Sequence, residues 1–473
     1  MNIVANWRLR RLTFSQLAVV LVLALALTLA VTAFAATQLN IAGYLDFGYP
    51  DTVREPTEGR PEHKLWYNDG KWWANMYSSQ STAYTIHQLD WSSQTWVNTG
   101  VVVDERPGAR SDTLWNGTKL YIASYLKQEN PGPVNSAENF GRLYRYSYTG
   151  GQYVLDAGFP LVGITEHRTK TLSLEQDSTG RLWIAYVTRP TGTSLEYQVY
   201  VRSSGADDTV WSSAPIALAA PGRFPNEAMV ASHDIAALIA FEDEDGQKLG
   251  VMWSNERPDV NKFFFAVHPV SSEPAEDWVM ELDESSFTGD YSTANDHINL
   301  AKTSSGEVFA AIKTSDTGAG EALNAVIARD RDGSYSFHKI NPVESNDTKP
   351  IVVVYEPASG PDKVYVFMSS NPTGGVICGM EAEITPNLSD MSFPVQNCGS
   401  SGLLAPRTVL GDNIQYTLIN NATTTRQILN ESTDIVLLAT DQANNVYVHA
   451  VVLNPPDEDI GTSFQLFMPN VIK

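Results

Sequence analysis

The chain is 473 residues long, 43% hydrophobic and 10% aromatic, with 32 Gly and 25 Pro. That is the composition of a polypeptide burying a sizeable core, and it excludes a disordered, collagenous or polytopic membrane chain. Lys and Arg number 32 against 54 Asp and Glu, a formal charge of −22, so the surface repels a phosphate backbone and nucleic acid is not an expected partner.

The first element in chain order is a leader. Arg8, Arg10 and Arg11 precede an uncharged stretch from Leu17 to Ala36 that closes on Ala33-Phe34-Ala35. A basic start, an apolar run and a small-x-small end predict a secretory signal peptide over residues 1–35. The apolar run, roughly 18 to 20 residues, is also long enough to span a bilayer. An uncleaved N-terminal anchor is therefore the alternative, and the only membrane attachment expected. Either way the bulk of the chain is expected outside the cytoplasm, secreted or at the cell surface.

Residues 36–473 read as a single all-β domain. Short β-branched and aromatic runs alternate with Gly, Asn and Asp turns, and helical periodicity is confined to a turn or two around Ala275 to Leu282. One unit recurs: an apolar run, a tight polar turn, a second apolar or aromatic run. Copies stand at Lys64 to Ala74, Thr113 to Ala123, Leu172 to Ala185, Ala228 to Ala240, Ile298 to Ala310, Ile351 to Phe367 and Ile435 to Val448, with openings near 64, 113, 171, 228, 298, 350 and 435. Further strands follow each unit, several ending at an aromatic after a polar turn, as in Asp90 to Trp96, Thr149 to Tyr153, Asp207 to Trp211 and Asp332 to Phe337. Four strands per unit make a propeller blade, and blades must stack in a closed ring to bury both faces. The expected fold is thus a β-propeller of seven four-stranded blades, or six if the degenerate fourth copy or the last is something else. Closure is expected from Gln38 to Phe47 or from Phe464 to Phe467, while Ser400 to Asn430 fits no blade. The two cysteines, Cys378 and Cys398, fall in one late antiparallel unit. Export favours a disulfide between them, two buried thiols being the alternative.

The Asp-to-aromatic turns resemble degenerate Asp-boxes of the bacterial neuraminidase repeat, roughly Ser-x-Asp-x-Gly-x-Thr-Trp, which none of the four matches in full. His63 to Trp73, Asp112 to Gly117, Asp296 to Leu300 and Asp434 to Asp441 resemble blade openings of an uncharacterised family of secreted bacterial sialidase-like propellers. This resemblance covers most of residues 60 to 455 and implies the fold and a bacterial origin, without an activity. The C-terminal Phe467 to Lys473 resembles short aromatic-Pro tails of some secreted bacterial proteins.

Residues just before each innermost strand of a propeller rim one mouth of its channel. Here they are His63, Lys64, Arg110, Asp112, His167, Arg168, Lys170, Asn226, Glu227, Asp296, His297, Asp347, Lys349 and Asp434. Bases balance acids in this set although acids dominate the chain. Lys64, Arg110, Asp112, Lys170, Glu227, Asp296 and Lys349 are the candidate ligand-binding residues of a polar site for an extracellular glycan, or for a surface protein. The competing structural reading is that such residues hydrate the axis and tie blades together. His233 is expected in a turn, and His87, His268, His338 and His449 in structural positions.

An enzyme is the alternative function. A polysaccharide lyase needs a cation on the uronate carboxylate and a base for its α-proton, for which His63, His167, Arg168 and His297 are the catalytic candidates. A sialidase needs three arginines, which Arg110, Arg168 and Arg223 supply without an Arg-Ile-Pro motif, and a glycosidase needs two carboxylates, from Asp112, Glu227, Asp296 and Asp347. The acidic turns Glu242 to Gly246 and Asp330 to Gly333 are calcium candidates that match no full calcium loop, hairpin turns being the alternative. No cofactor is otherwise expected: no zinc spacing, phosphate-cradling Gly loop or Gly-x-Ser-x-Gly elbow occurs. The expected state is a monomer.

Overall fold

A computed structural model of the chain describes residues 40–127, 137–189, 197–218, 229–283, 285–286, 291, 293–345, 347–370, 375–393, 407–410 and 418–453. The first strand, β1 (Asn40–Gly48), belongs to the last sheet. Blade 1 is β2 (Leu65–Asn68), β3 (Lys71–Ser78), β4 (Ala83–Asp90) and β5 (Thr95–Val102). Blade 2 is β6 (Ala109–Trp115), β7 (Lys119–Leu126) and β8 (Arg142–Thr149), with an outer edge divided between β9 (Gln152–Leu155) and β10 (Leu161–Val162). Blade 3 is β11 (Leu172–Gln176), β12 (Leu182–Thr188), β13 (Gln198–Ser203) and β14 (Ile216–Ala217). Blade 4 is β15 (Ala236–Asp243), β16 (Gly246–Asn255), β17 (Lys262–Pro269) and β18 (Val279–Leu282). Blade 5 is β19 (Ile298–Lys302), β20 (Val308–Lys313), β21 (Ala322–Arg329) and β22 (Tyr335–Pro342). Blade 6 is β23 (Thr348–Tyr355), β24 (Lys363–Ser370), β25 (Val376–Glu383) and β26 (Arg407–Leu410). Blade 7 is β27 (Ile419–Thr423), β28 (Ile435–Asp441) and β29 (Val446–Leu453), completed on its outside by β1. The protein is a seven-bladed β-propeller of antiparallel sheets, with helix among the described residues limited to 3-10 turns such as Leu388–Asp390.

Alternating residues of one strand serve two different cores, which is why the strands read as continuous apolar runs. In β12, Trp183, Ala185 and Val187 pack toward blade 4 with Leu238, Val251 and Trp253. Their neighbours Leu182, Ile184 and Tyr186 pack toward blade 2 with Tyr121, Ala123 and Leu143. The same division recurs in β15, where Leu238 joins the core with blade 3 and Ile239 and Phe241 join that with blade 5. Each fully buried large side chain contributes on the order of 1.5–3 kcal/mol, so the ring is held chiefly by contacts between blades. Polar side chains of the inner strands add ties: Asp112, Ser173 and Asn299 each accept the backbone N–H of the next blade's inner strand, at Leu174 (2.7 Å), Leu238 (3.3 Å) and Val352 (3.0 Å). Gly306 sits at φ +115° in the β19–β20 turn, where a Cβ would overlap the Glu242 carbonyl of blade 4.

Closure comes from the N-terminal segment. β1 pairs antiparallel with β29 from Asn40↔Leu453 to Leu45↔Val448. Asp46 holds both sides of the seam, accepting from His449 Nδ1 (2.6 Å) and from the Trp96 backbone N–H in blade 1 (2.9 Å). Phe464 to Phe467, the other expected closing segment, lies outside the described residues.

Two repeats are out of phase with the sequence reading. Near 228, the apolar residue Val230 is buried in the core between blades 3 and 4 but forms only an isolated bridge with Tyr197, and the inner strand starts at Ala236. Near 435, Ile435 to Val448 supplies the second and third strands of blade 7, because the inner strand is Ile419–Thr423, within the stretch that fitted no blade. Asp434 consequently lies in the β27–β28 loop, at the end of the ring opposite the openings. The region around Ala275 to Leu282 is a turn followed by β18.

Candidate functional site

The face where the inner strands begin is crossed by the segment joining β1 to β2, residues 49–64. It leaves the outside of blade 7 and must reach the innermost strand of blade 1, and Pro56, Thr57, Glu58, Gly59, Pro61, Glu62 and His63 are buried along the way. Glu58 pairs with Arg60 (3.3 Å), with Lys127 of blade 2 (3.2 Å) and with Arg110. Glu62 accepts the Arg60 backbone N–H (3.1 Å) and the Tyr125 hydroxyl. Arg60 donates to the Asp296 carbonyl (3.1 Å) and carboxylate before blade 5, and its own carbonyl accepts from Asn299 (3.0 Å). Gly59 permits this path, since a Cβ there would stand 2.5 Å from the Glu62 carbonyl.

Deeper, Asp112 clamps four parts of the ring. Fully buried, it accepts the backbone N–H of His63 (2.8 Å) and of Leu174 (2.7 Å) and pairs with Arg426 from the loop after β27. Arg426 also reaches Glu175 of blade 3 (3.4 Å) and the Leu174 carbonyl. Burial raises the Asp112 carboxyl, but Arg426 and His63 outweigh it and hold it down to about 2. Between the crossing segment and this clamp, a cavity of about 20 Å³ lined by Pro61, His63, Glu175, Leu300, Lys302 and Arg426 has room for about one water. This cavity is too small for a sugar.

The expected site residues separate accordingly. His63 is buried with Nδ1 3.7 Å from Asp112, and burial lowers its pKa. Lys64 is buried against the Ser111 carbonyl. His297 is buried with Nδ1 2.7 Å from Asn295 and 3.0 Å from Asp296, its pKa lowered to about 3 by burial and Arg60. Asp347, fully buried, accepts from Asn341 (2.8 Å). His63, Lys64 and Asp347 tie blades together, while the ring contacts of His297 stay within its own segment. His167 and Arg168 lie apart from them, half-buried and exposed, Arg168 donating to Asn139 (2.7 Å). Burial lowers the His167 pKa and keeps its ring neutral near pH 7. Arg223, Asn226, Glu227 and Cys398 lie outside the described residues; Cys378, on β25, is fully buried.

What the structure does bring together on this face is a set of cations. Arg60, Arg110, Lys127, Lys170 and Lys349 lie close enough that the two arginines and Lys127 depress Lys349, while the arginines and Lys127 likewise depress Lys170. Burial is the first cause, and it leaves Lys127, Lys170 and Lys349 each titrating at about 8, well below an ordinary lysine. Glu55, Glu58, Glu62 and Asp296 offset the charge in part. Among the described residues, Lys170 and Lys349 have no carboxylate within salt-bridge distance, Lys349 bonding instead to Asn421. Lys127 was missing from the sequence reading because it follows the second strand of its blade, and Arg426 because it follows a strand of Asn and Thr.

A second group on this face, His233, Asp234 and Glu256, brings three metal-ligand atoms within 4.8 Å of one another. Asp234, however, is committed: its oxygens accept from Ser254 Oγ (2.8 Å), from the Glu256 N–H (3.0 and 3.1 Å) and from the Ala231 N–H. Burial nevertheless pushes it up to about 7. That leaves His233 and Glu256 as an ion pair (3.3 Å) rather than a complete donor set. The acidic turns weighed for calcium are hairpin turns, with Asp243 paired to Arg329 (2.9 Å) and Asp332 accepting its own turn's Ser334 N–H (2.8 Å).

No family model matches the sequence, and no curated protein matches it. Solved structures do. The chain is similar to the polysaccharide lyase Uly1 at 12% identity over 89% of this chain and 95% of that one, with a TM-score of 0.44. It is similar to the periplasmic gluconolactonase PpgL of Pseudomonas aeruginosa at 13% identity, 81% and 96% coverage and a TM-score of 0.43. A K499G mutant of the NanB sialidase from Streptococcus pneumoniae gives 12%, 86% and 70%, and 0.42. Likeness at this level assigns no activity.

Proposed function

We propose that the protein is an exported propeller that binds an acidic glycan across the face where its inner strands begin. The observation that supports this is the cation cluster. In a chain of charge −22, Arg60, Arg110, Lys127, Lys170 and Lys349 converge at one mouth, and three lysines are held there at a pKa of about 8. Burying cations beside one another is costly, and a bound carboxylate or sulfate relieves the cost. Because the segment 49–64 crosses this face with residues 56–59 and 61–64 buried, the ligand lies over the rim, which suits an extended polymer.

A second reading, β-elimination on a uronate polymer, is supported by His167, whose ring is neutral near pH 7 and three positions from Lys170. One screen separates the two: oligogalacturonate and a neutral glucan are offered to the mature protein while retention, reducing ends and unsaturated product are read together. Retention of the oligogalacturonate, lost in Lys170→Ala and without product, is the expected result. Unsaturated product abolished by His167→Ala establishes the lyase, and neither retention nor product refutes both readings.

A further inference from the structure

The opposite face carries a groove of about 350 Å³ between blades 1 and 7, within the size range of small-molecule sites. Three separate stretches form it: the β2–β3 turn, the end of β4 with the turn after it, and residues 432–434 of the β27–β28 loop. The aromatic wall is Tyr67, Trp72 and Trp91. Trp91 is 46% exposed and the one exposed tryptophan among the described residues. Tyr67 Oη donates to the Ser432 carbonyl (3.0 Å) and Trp72 Nε1 to that of Thr433 (2.7 Å). These two bonds fix the loop of blade 7 against the turn of blade 1, so the groove is held from both sides.

Its polar groups are largely unspent. Among the described residues Gln88 has no side-chain partner, and Asp434 is half-buried with no hydrogen bond, burial raising its carboxyl above the ordinary value. The Lys71 ammonium stands 5.9 Å from the centre of the Trp73 ring and has no ion pair among the described residues. Asp90 uses Oδ1 on Ser92 and Ser93. An exposed ring face, flanked by carboxylates and an amide that still need donors and acceptors, matches a pyranose, which offers an apolar C–H face and a rim of hydroxyls. Two carboxylates against one ammonium make the groove net negative, the reverse of the cationic mouth, so the sugar it suits is uncharged.

We propose that this groove is a subsite for a neutral pyranose of a glycan chain, stacked on Trp91 with its hydroxyls held by Asp434 and Gln88. It does not depend on the acidic-glycan reading of the other face.

The test titrates the mature protein with cello-, manno-, xylo-, malto- and galacto-hexaoses up to about 10 mM, read by tryptophan fluorescence and calorimetry. At least one should bind saturably with a change in tryptophan emission. Trp91→Ala should weaken it at least about tenfold and Asp434→Asn several-fold, whereas Lys170→Ala should leave it unchanged. Trp91 is exposed at a turn, and an unaltered melting temperature confirms that its variant is folded. Absence of saturable binding to every member of the panel, or binding indifferent to both Trp91→Ala and Asp434→Asn, overturns the proposal.

Discussion

Replacing Asp112 by Asn tests the clamp under the mouth. The substitution keeps the shape and one acceptor oxygen but removes the charge, leaving Arg426 with Glu175 at 3.4 Å as its remaining carboxylate. It also points an amide N–H₂ at one of the two backbone donors, His63 N–H (2.8 Å) or Leu174 N–H (2.7 Å). Breaking a buried ion pair costs about 3–5 kcal/mol, and an orphaned buried donor about 1–3 kcal/mol. Glu175 and relaxation soften both, so a loss of about 3–5 kcal/mol is expected, read as a lowered denaturant midpoint. Arg426→Met in the Asp112→Asn background should restore part of it, with a coupling of about 2 kcal/mol. The difference is also pH-dependent. The Asp112 carboxyl is held at about 2 in the folded protein, against about 3.9 unfolded. Its contribution is therefore fully present above about pH 4 and lost as pH falls through about 2, which should narrow the difference between wild type and variant by about 2.6 kcal/mol. A loss under about 1 kcal/mol, or strict additivity with Arg426→Met, would refute the clamp.

The lysines of the mouth make anion binding pH-sensitive within the folded range: with Lys127, Lys170 and Lys349 titrating at about 8, oligogalacturonate affinity should fall several-fold between pH 7 and about 9.5. Because these pKa values lie below those of unfolded lysines, the same groups should make the unliganded protein more stable, not less, between pH 8 and about 10.5, as thermal melts can show. Tyr44→Pro puts a proline opposite His449 in the closing strand, and should loosen that strand and expose the edge of β29 to proteolysis and self-association on gel filtration. Cys378 and Cys398 are expected to resist thiol labelling in the folded, exported protein until a reductant is added; labelling of both without reductant would rule out the bridge.

The fold was largely legible because a blade needs only short runs and turns, and the openings near 64, 113, 171, 298 and 350 fall at β2, β6, β11, β19 and β23. Phase failed where burial and strand pairing separate. Val230 is apolar because it fills a core from a loop, and Ile419–Thr423 is an inner strand whose Asn and Thr side chains hide its period. At the mouth, entry positions identified Arg110, Lys170 and Lys349, but adjacency to a strand start did not reveal that His63, Lys64 and Asp112 would be spent as ties. The groove was not legible: Trp91 lies inside one of the Asp-to-aromatic turns, and its neighbours at 432–434 are more than 300 residues away along the chain.

Binding of an acidic glycan at the cationic mouth is tested by calorimetric titration of oligogalacturonate into wild type and Lys170→Glu at low and high salt. Binding should be saturable at low salt, weakened at least about tenfold by Lys170→Glu, and should fall steeply with added salt as the cations are screened. Binding that ignores both the charge reversal and the salt would contradict it, as would a wild type that binds the neutral glucan as well as the uronate.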